Sequence, residues 1–197
     1  MTSSDARERV LAAAEREFTR RGYDAVTVKD IANAADIHHA TIYHHIRKGG
    51  KAALYVEVMT RHMARHRAGL DEAVEAAEDD LRAALLGIAA WLLAQPPVDM
   101  VRMSAADLPA VEAALSKAEA RQVEDVAFDA LFGPMMTALG AAQARGEVDH
   151  PNMGNVAGAI LSSIQGLHTI PDEYVGTSRE AMAAELIDVF IRGIAVR

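Results

Sequence analysis

Apolar residues recur at three- and four-residue spacings almost from end to end of this 197-residue chain. No stretch alternates apolar with polar residues long enough to make a convincing strand. A period near 3.6 gathers every third or fourth side chain onto one face of a helix, so the chain reads as all-α. Composition agrees: alanine, the best helix former, is abundant, and aromatic residues make up only 5%. With 51% apolar residues the chain has the material for a sizeable core.

Several function classes drop out. There is no cysteine, hence no disulfide, thiolate metal site or cysteine nucleophile. Residues 1–9 are polar and charged, unlike a secretory leader, and no run of 18 apolar residues occurs, so neither export nor a membrane span is expected. The expected location is the cytoplasm. No G-x-S-x-G elbow or phosphate loop is present, and carboxylate runs such as Glu78-Asp79-Asp80 read as solvated helix ends. An enzyme is not expected, nor is a cofactor. His62 and His66 share one helix face at the i, i+4 spacing of metal-binding pairs. They lack the glutamate of HExxH and an evident third ligand, so an exposed or DNA-proximal pair is the expectation rather than a metal site.

Charge is distributed unevenly. The net charge is −8, yet residues 1–65 carry +3 and residues 66–197 carry −11, and five of the eight histidines lie in the first part. A basic head on an acidic body is the asymmetry expected when one end meets phosphates.

The head divides into three helical segments. Val10, Leu11, Ala14 and Phe18 line one face of the first, which Gly22 is placed to end. Thr27 and Asp30 have the spacing of a capping box opening a second helix, with Val28, Ile31 and Ala32 on its inner face. A third runs from about Ile37 to Ile46, with Ile37, Ile42 and Ile46 for packing and His38, His39, Thr41, Tyr43, His44 and His45 elsewhere. That segment bears no carboxylate. Two such helices form a helix-turn-helix, the second sized to enter the major groove.

The stretch VLAAAEREFTRRGYDAVTVKDIANAADIHHATIYHHI resembles the DNA-binding domain of the TetR (tetracycline-repressor) family. The match rests on Ala14 and Phe18, the Gly22-Tyr23 turn, Thr27-Val28 before Asp30-Ile31-Ala32, and Thr41-Ile42-Tyr43-His44-His45. It implies an N-terminal helix-turn-helix domain over residues 1–50 and a helical ligand-binding and dimerisation domain over residues 51–197. It also implies a DNA-binding transcriptional regulator: a homodimeric repressor on a palindromic operator, released by a small-molecule effector. Thr27, Thr41, Tyr43, His44, Lys48 and Lys51 would then meet the DNA backbone, and His38 and His39 would face base edges, with Thr41 a candidate for either. Four departures stand out: Asp36 replaces the family's turn glycine, His38 replaces a capping serine, Ile46 replaces the usual aromatic, and Gly49-Gly50 displaces the lysine to Lys51. The cap at position 38 is expected to be lost, with Asp36 as a substitute. The departures at Asp36, His38 and Gly49-Gly50 keep open a helical ligand-binding protein without DNA binding.

In the body, Leu81, Leu85, Ile88 and Leu92 make one stripe, ended by Pro96-Pro97. A longer helix to about Arg145 is expected to break or bend at Gly133-Pro134. Gly154, Gly158, Ser162 and Gly166 recur every four residues along the penultimate helix, and Ala183, Leu186, Ile187, Phe190, Ile191 and Ile194 form a wide stripe on the last. Gly158, Ser162, Leu186, Phe190 and Ile191 are candidates for a two-fold four-helix interface; the alternative is a completed monomer core. Candidate pocket residues are Met63, Trp91, Met100, Met103, Phe128, Met135, Gln165 and His168, although methionines at helical spacing also serve as ordinary core.

Overall fold

The computed structural model describes residues 3–46, 50–95 and 116–196. Among these residues there are eight α-helices and no strand beyond one isolated bridge, Val148 with Ala195. The helices are α1 (Ser3–Arg21), α2 (Val28–Ala34), α3 (His39–Ile42), α4 (Gly50–Glu75), α5 (Leu81–Ala94), α6 (Lys117–Ala144), α7 (Met153–Gly166) and α8 (Arg179–Ile194). The segment holding Pro96-Pro97, Met100 and Met103 lies outside the described residues, as do Arg47, Lys48 and Gly49.

The chain forms two compact units. The first comprises the described residues up to Met63 and residues 116–127; the second comprises residues 64–95 and 128–196. The first unit therefore runs past residue 50, because the opening turns of α4 are fastened to α1. Arg7 grips both carboxylate oxygens of Glu57 at 2.6 Å, and Arg61 grips those of Glu8 at 2.7 and 2.8 Å. Phe18, Tyr23 and Tyr55 are all buried and meet with ring centroids 5.1–5.7 Å apart, spacings that favour tilted and edge-to-face aromatic pairs.

Gly22 ends α1 in the left-handed region, at φ +81°, with its amide on the Phe18 carbonyl at 2.8 Å. Thr27 and Asp30 close the capping box of α2. The Thr27 amide donates to Asp30 Oδ2 at 2.8 Å, and the Asp30 amide donates to Thr27 Oγ1 at 3.1 Å. Ile31 and Ala32 are buried, whereas Val28 is half-buried.

The second unit packs α5 against α7 and α8. Leu85, Ile88 and Leu92 of α5 are buried, as are Met153, Val156, Ile160 and Ile164 of α7 and Ala183, Ile187 and Ile194 of α8. Asp80, Asn152 and Ser178 cap these three helices with side-chain oxygens. Of the break or bend expected at Gly133-Pro134, the break is absent: α6 continues through both residues. Arg67 crosses at this point, donating to the Asp129 carbonyl at 3.2 Å and to its carboxylate at 2.8 Å. A Cβ on Gly133 would sit 2.7 Å from that guanidinium.

Two expectations follow for the head. Asp36 holds φ +53°, a region that costs a side chain about 1 kcal/mol or more. Asp36→Gly should raise the melting temperature by about 2–4 °C, and Asp36→Val should lower it. The second concerns acid. The Thr27 hydroxyl and amide, with Arg21 nearby, hold the Asp30 carboxyl below its ordinary range; Arg61 does the same for Glu8, and Arg20 and Arg21 for Glu17. Their folded pKa values are depressed, so the stabilisation is present above about pH 4 and is lost as pH falls through the lowered values. Urea midpoints should fall below pH 4, and Asp30→Asn should flatten that decline.

Candidate nucleic-acid interface

The turn between α2 and α3 is built around Asp36. In a Schellman arrangement the Ile37 amide reaches the Ala32 carbonyl at 3.0 Å, and the Asp36 amide reaches that of Asn33 at 3.2 Å. This geometry places residue 36 in the left-handed region, where an aspartate is better tolerated than most side chains. Asp36 thus replaces the glycine in shaping the turn and is not the cap of α3.

The cap is His38. Its backbone is extended, at φ −60° and ψ 134°, and its Nδ1 accepts the Ala40 amide at 3.3 Å. The cap expected to be lost is therefore present, supplied by an imidazole nitrogen in place of a hydroxyl. The regular helix is shorter than the sequence suggests: it spans His39–Ile42, and turns continue through His45. Ile42 and Ile46 are buried, and Ile37 is half-buried. His38, His39, Thr41, Tyr43 and His44 are all exposed, Tyr43 at 56%. The His39 ring stands edge-on to Tyr43 with centroids 5.6 Å apart. One face of the segment is anchored, and the other offers imidazoles, a hydroxyl and a phenol to the exterior.

Thr27 is exposed, although its hydroxyl is engaged with Asp30 at 2.7 Å. Lys51 is half-buried. Its ammonium donates to the Tyr23 carbonyl at 2.9 Å and the Val26 carbonyl at 3.0 Å, and lies 4.0 Å from the centre of the Tyr23 ring. Burial pushes the Tyr23 phenol up, with the Asp24 and Glu119 carboxylates adding to the effect. Tyr55 beneath this clamp is not singled out by sequence reasoning. The available signal is that aromatic residues are scarce, so three converging on one spot carry unusual weight.

His62 and His66 are not exposed but buried. His62 lies 3.3 Å from Glu15, and His66, 2% exposed, accepts the Trp91 indole N–H at 3.4 Å. A Cβ on Gly69 would lie 2.5 Å from the Trp91 ring, so a side chain there would have to displace the indole.

Of the expected pocket residues, Met100 and Met103 lie outside the described residues. Met63 and Met135 are buried, Gln165 and Trp91 are half-buried, and Phe128 is 64% exposed, stacked on Phe132 at 4.6 Å. His168 lines a cavity of about 820 Å³ in the second unit, with Leu93, Ile170, Asp172, Ser178 and Arg179. Its Nε2 is 3.2 Å from the Leu92 carbonyl. Arg179 is held by the Leu167 and Ile170 carbonyls at 3.0 and 2.8 Å and by Asp172 at 2.7 Å. On α7, Gly154, Ser162 and Gly166 are exposed and Gly158 is half-buried; on α8, Leu186, Phe190 and Ile191 are half-buried.

Residues 10–58 match the family model described as bacterial regulatory proteins, tetR family. No curated protein matches the chain. Among solved structures it is similar to a tetR-family bacterial regulatory protein of Rhodococcus RHA1, at 18% identity over all of both chains with a TM-score of 0.69. It is similar to a transcriptional regulator of Saccharomonospora viridis in complex with choline, at 22% identity over 99% of this chain and 100% of that one, TM-score 0.73. It is also similar to the superantigen PfiT, at 21% identity over 96% and 97%, TM-score 0.76. At such identities the likeness is one of fold. Residues 10–58 thus resemble the N-terminal domain of tetR-family bacterial regulatory proteins, and the whole chain shares the fold of the solved structures it is similar to.

Proposed function

We propose that the chain is a dimeric repressor that reads an inverted-repeat operator in duplex DNA and is released from it by a small molecule. The observation that carries the reading is the α3 segment. Ile42 and Ile46 are buried, and its outward face is polar, aromatic and free of carboxylate. Such a face suits a groove bordered by phosphates. His38 and His39 are assigned to base edges. Thr27, Thr41, Tyr43 and His44 are assigned to the backbone, together with Lys48. Lys51 is assigned a different part: its ammonium holds the α1–α2 turn, so it acts by positioning Thr27 and α2.

Dimerisation is assigned to the outer faces of α7 and α8. Exposed Ser162 and half-buried Gly158 permit close approach of a second helix, and Leu186, Phe190 and Ile191 supply apolar area. The effector is assigned to the second unit, where the cavity beside His168 mixes apolar walls with polar groups. The choline-bound relative carries a small molecule on the same fold. Release follows if the effector favours a dimer whose two α3 segments no longer match the groove spacing.

Selection from random duplexes followed by footprinting should give two half-sites about one turn apart, ~34–36 Å or somewhat more; protection of one unrepeated half-site defeats the reading. On the selected duplex, Lys51→Met should lower affinity and melting temperature yet leave the salt slope unchanged. A slope shallower by about one contact would put Lys51 on a phosphate. Assembly is tested separately. Sedimentation should give twice the 21.1 kDa chain mass, and Phe190→Glu with Ile191→Glu should give monomer or insoluble protein. A wild-type monomer refutes the dimer.

A further inference from the structure

The geometry points to His38 as a specificity-determining residue that can only donate to a base edge, and so selects guanine in each half-site. This rests on the DNA-binding reading and adds the identity of the base. The argument starts from the cap. An amide N–H directed at His38 Nδ1, at 3.3 Å, needs a lone pair there. In a neutral imidazole one nitrogen carries the proton and the other accepts. With Nδ1 accepting, the single proton sits on Nε2, the distal nitrogen of an exposed side chain. The other neutral tautomer, with an accepting Nε2, would set N–H against N–H at the cap. Protonating the ring also leaves Nε2 a donor. Every form compatible with the fold, and the imidazolium as well, therefore presents the exterior with a donor. The serine cap usual in the family would offer a hydroxyl that donates or accepts, and would discriminate less.

The major groove then decides the base. Guanine shows two adjacent acceptors, N7 and O6. Adenine shows N7 beside an N6 amino donor, cytosine shows a donor, and thymine shows O4 beside a methyl group. A donor-only group meets attraction at every polar atom of the guanine edge, and meets a like donor on adenine and cytosine. The neighbours do not alter this choice, since His39 is turned edge-on to Tyr43 and Ala40 contributes only its amide to the cap.

Two measurements on the full-length protein test the inference. Ring-nitrogen NMR of His38 in the DNA-free protein at pH 8 should show the Nε2–H tautomer; a dominant Nδ1–H form overturns the inference before any DNA is added. Selected duplexes are then altered one base at a time. Replacing one guanine per half-site with 7-deazaguanine should weaken wild-type binding by roughly tenfold, and inosine, which keeps N7 and O6, should not. His38→Ala should bind more weakly and be indifferent to the deaza substitution. His38→Asn, which can cap through its oxygen and still donate, should retain the preference. His38→Asp, which caps but offers only acceptors, should lose it. Wild-type tolerance of 7-deazaguanine throughout, or equal sensitivity in His38→Ala, overturns the inference while leaving DNA binding intact. Failure to select any duplex overturns the DNA-binding reading and this inference with it.

Discussion

The head depends on how the first turns of α4 hold the end of α1. Lys51 brings a cation to two carbonyls in the turn after Gly22 and to the face of Tyr23, and Tyr55, one turn later, closes the aromatic triangle with Phe18 and Tyr23. Both carbonyls belong to non-helical backbone that α1 and α2 cannot satisfy. A charged donor there makes hydrogen bonds roughly twice as strong as a neutral one. The bidentate Arg7–Glu57 and Arg61–Glu8 pairs extend the same junction along the helices. Exposed ion pairs contribute little singly, so the aromatic burial and the lysine clamp dominate.

With that junction set, the α2–α3 turn decides what faces outward. The Schellman bonds at Asp36 fix where the chain leaves α2, and the imidazole cap at His38 fixes where α3 begins. Ile42 and Ile46 then point inward, which leaves Thr41, Tyr43 and His44 on the exterior. A four-residue helix has almost no cooperativity of its own. Its form is held by the cap at one end and two buried isoleucines on one side. Departures from the family pattern at 36 and 38 therefore alter the chemistry of the surface more than the path of the backbone.

The second unit rests on apolar stripes that meet on α5, α7 and α8, with one side-chain cap at each helix start. Of the small residues spaced along α7, Gly154, Ser162 and Gly166 are exposed and Gly158 is half-buried, close to Phe132. Arg67, Arg82 and Arg145 each bridge distant acidic groups: Asp129, Asp188 and Asp79. These contacts are partly exposed and act mainly as geometric ties.

What the sequence determined by itself was set by chemistry within a few residues or by repeating apolar faces. The helical class, the stop at Gly22, the Thr27–Asp30 box and the buried stripes of α1, α5 and α7 all belong here, because propensity, capping and period act locally. Other features required residues distant in sequence to meet. Lys51 turned inward because the carbonyls of Tyr23 and Val26 lie within its reach. His62 and His66 became buried because Glu15 and Trp91 came to them. The proline helix remained continuous, and Phe128 stayed outside. His38 lies between the two cases: its position was legible as a cap site, but its service as the cap required the backbone path that Asp36 sets. A sequence reports the preferences of each segment, whereas long-range packing decides which nitrogen, carbonyl or ring each side chain finally meets.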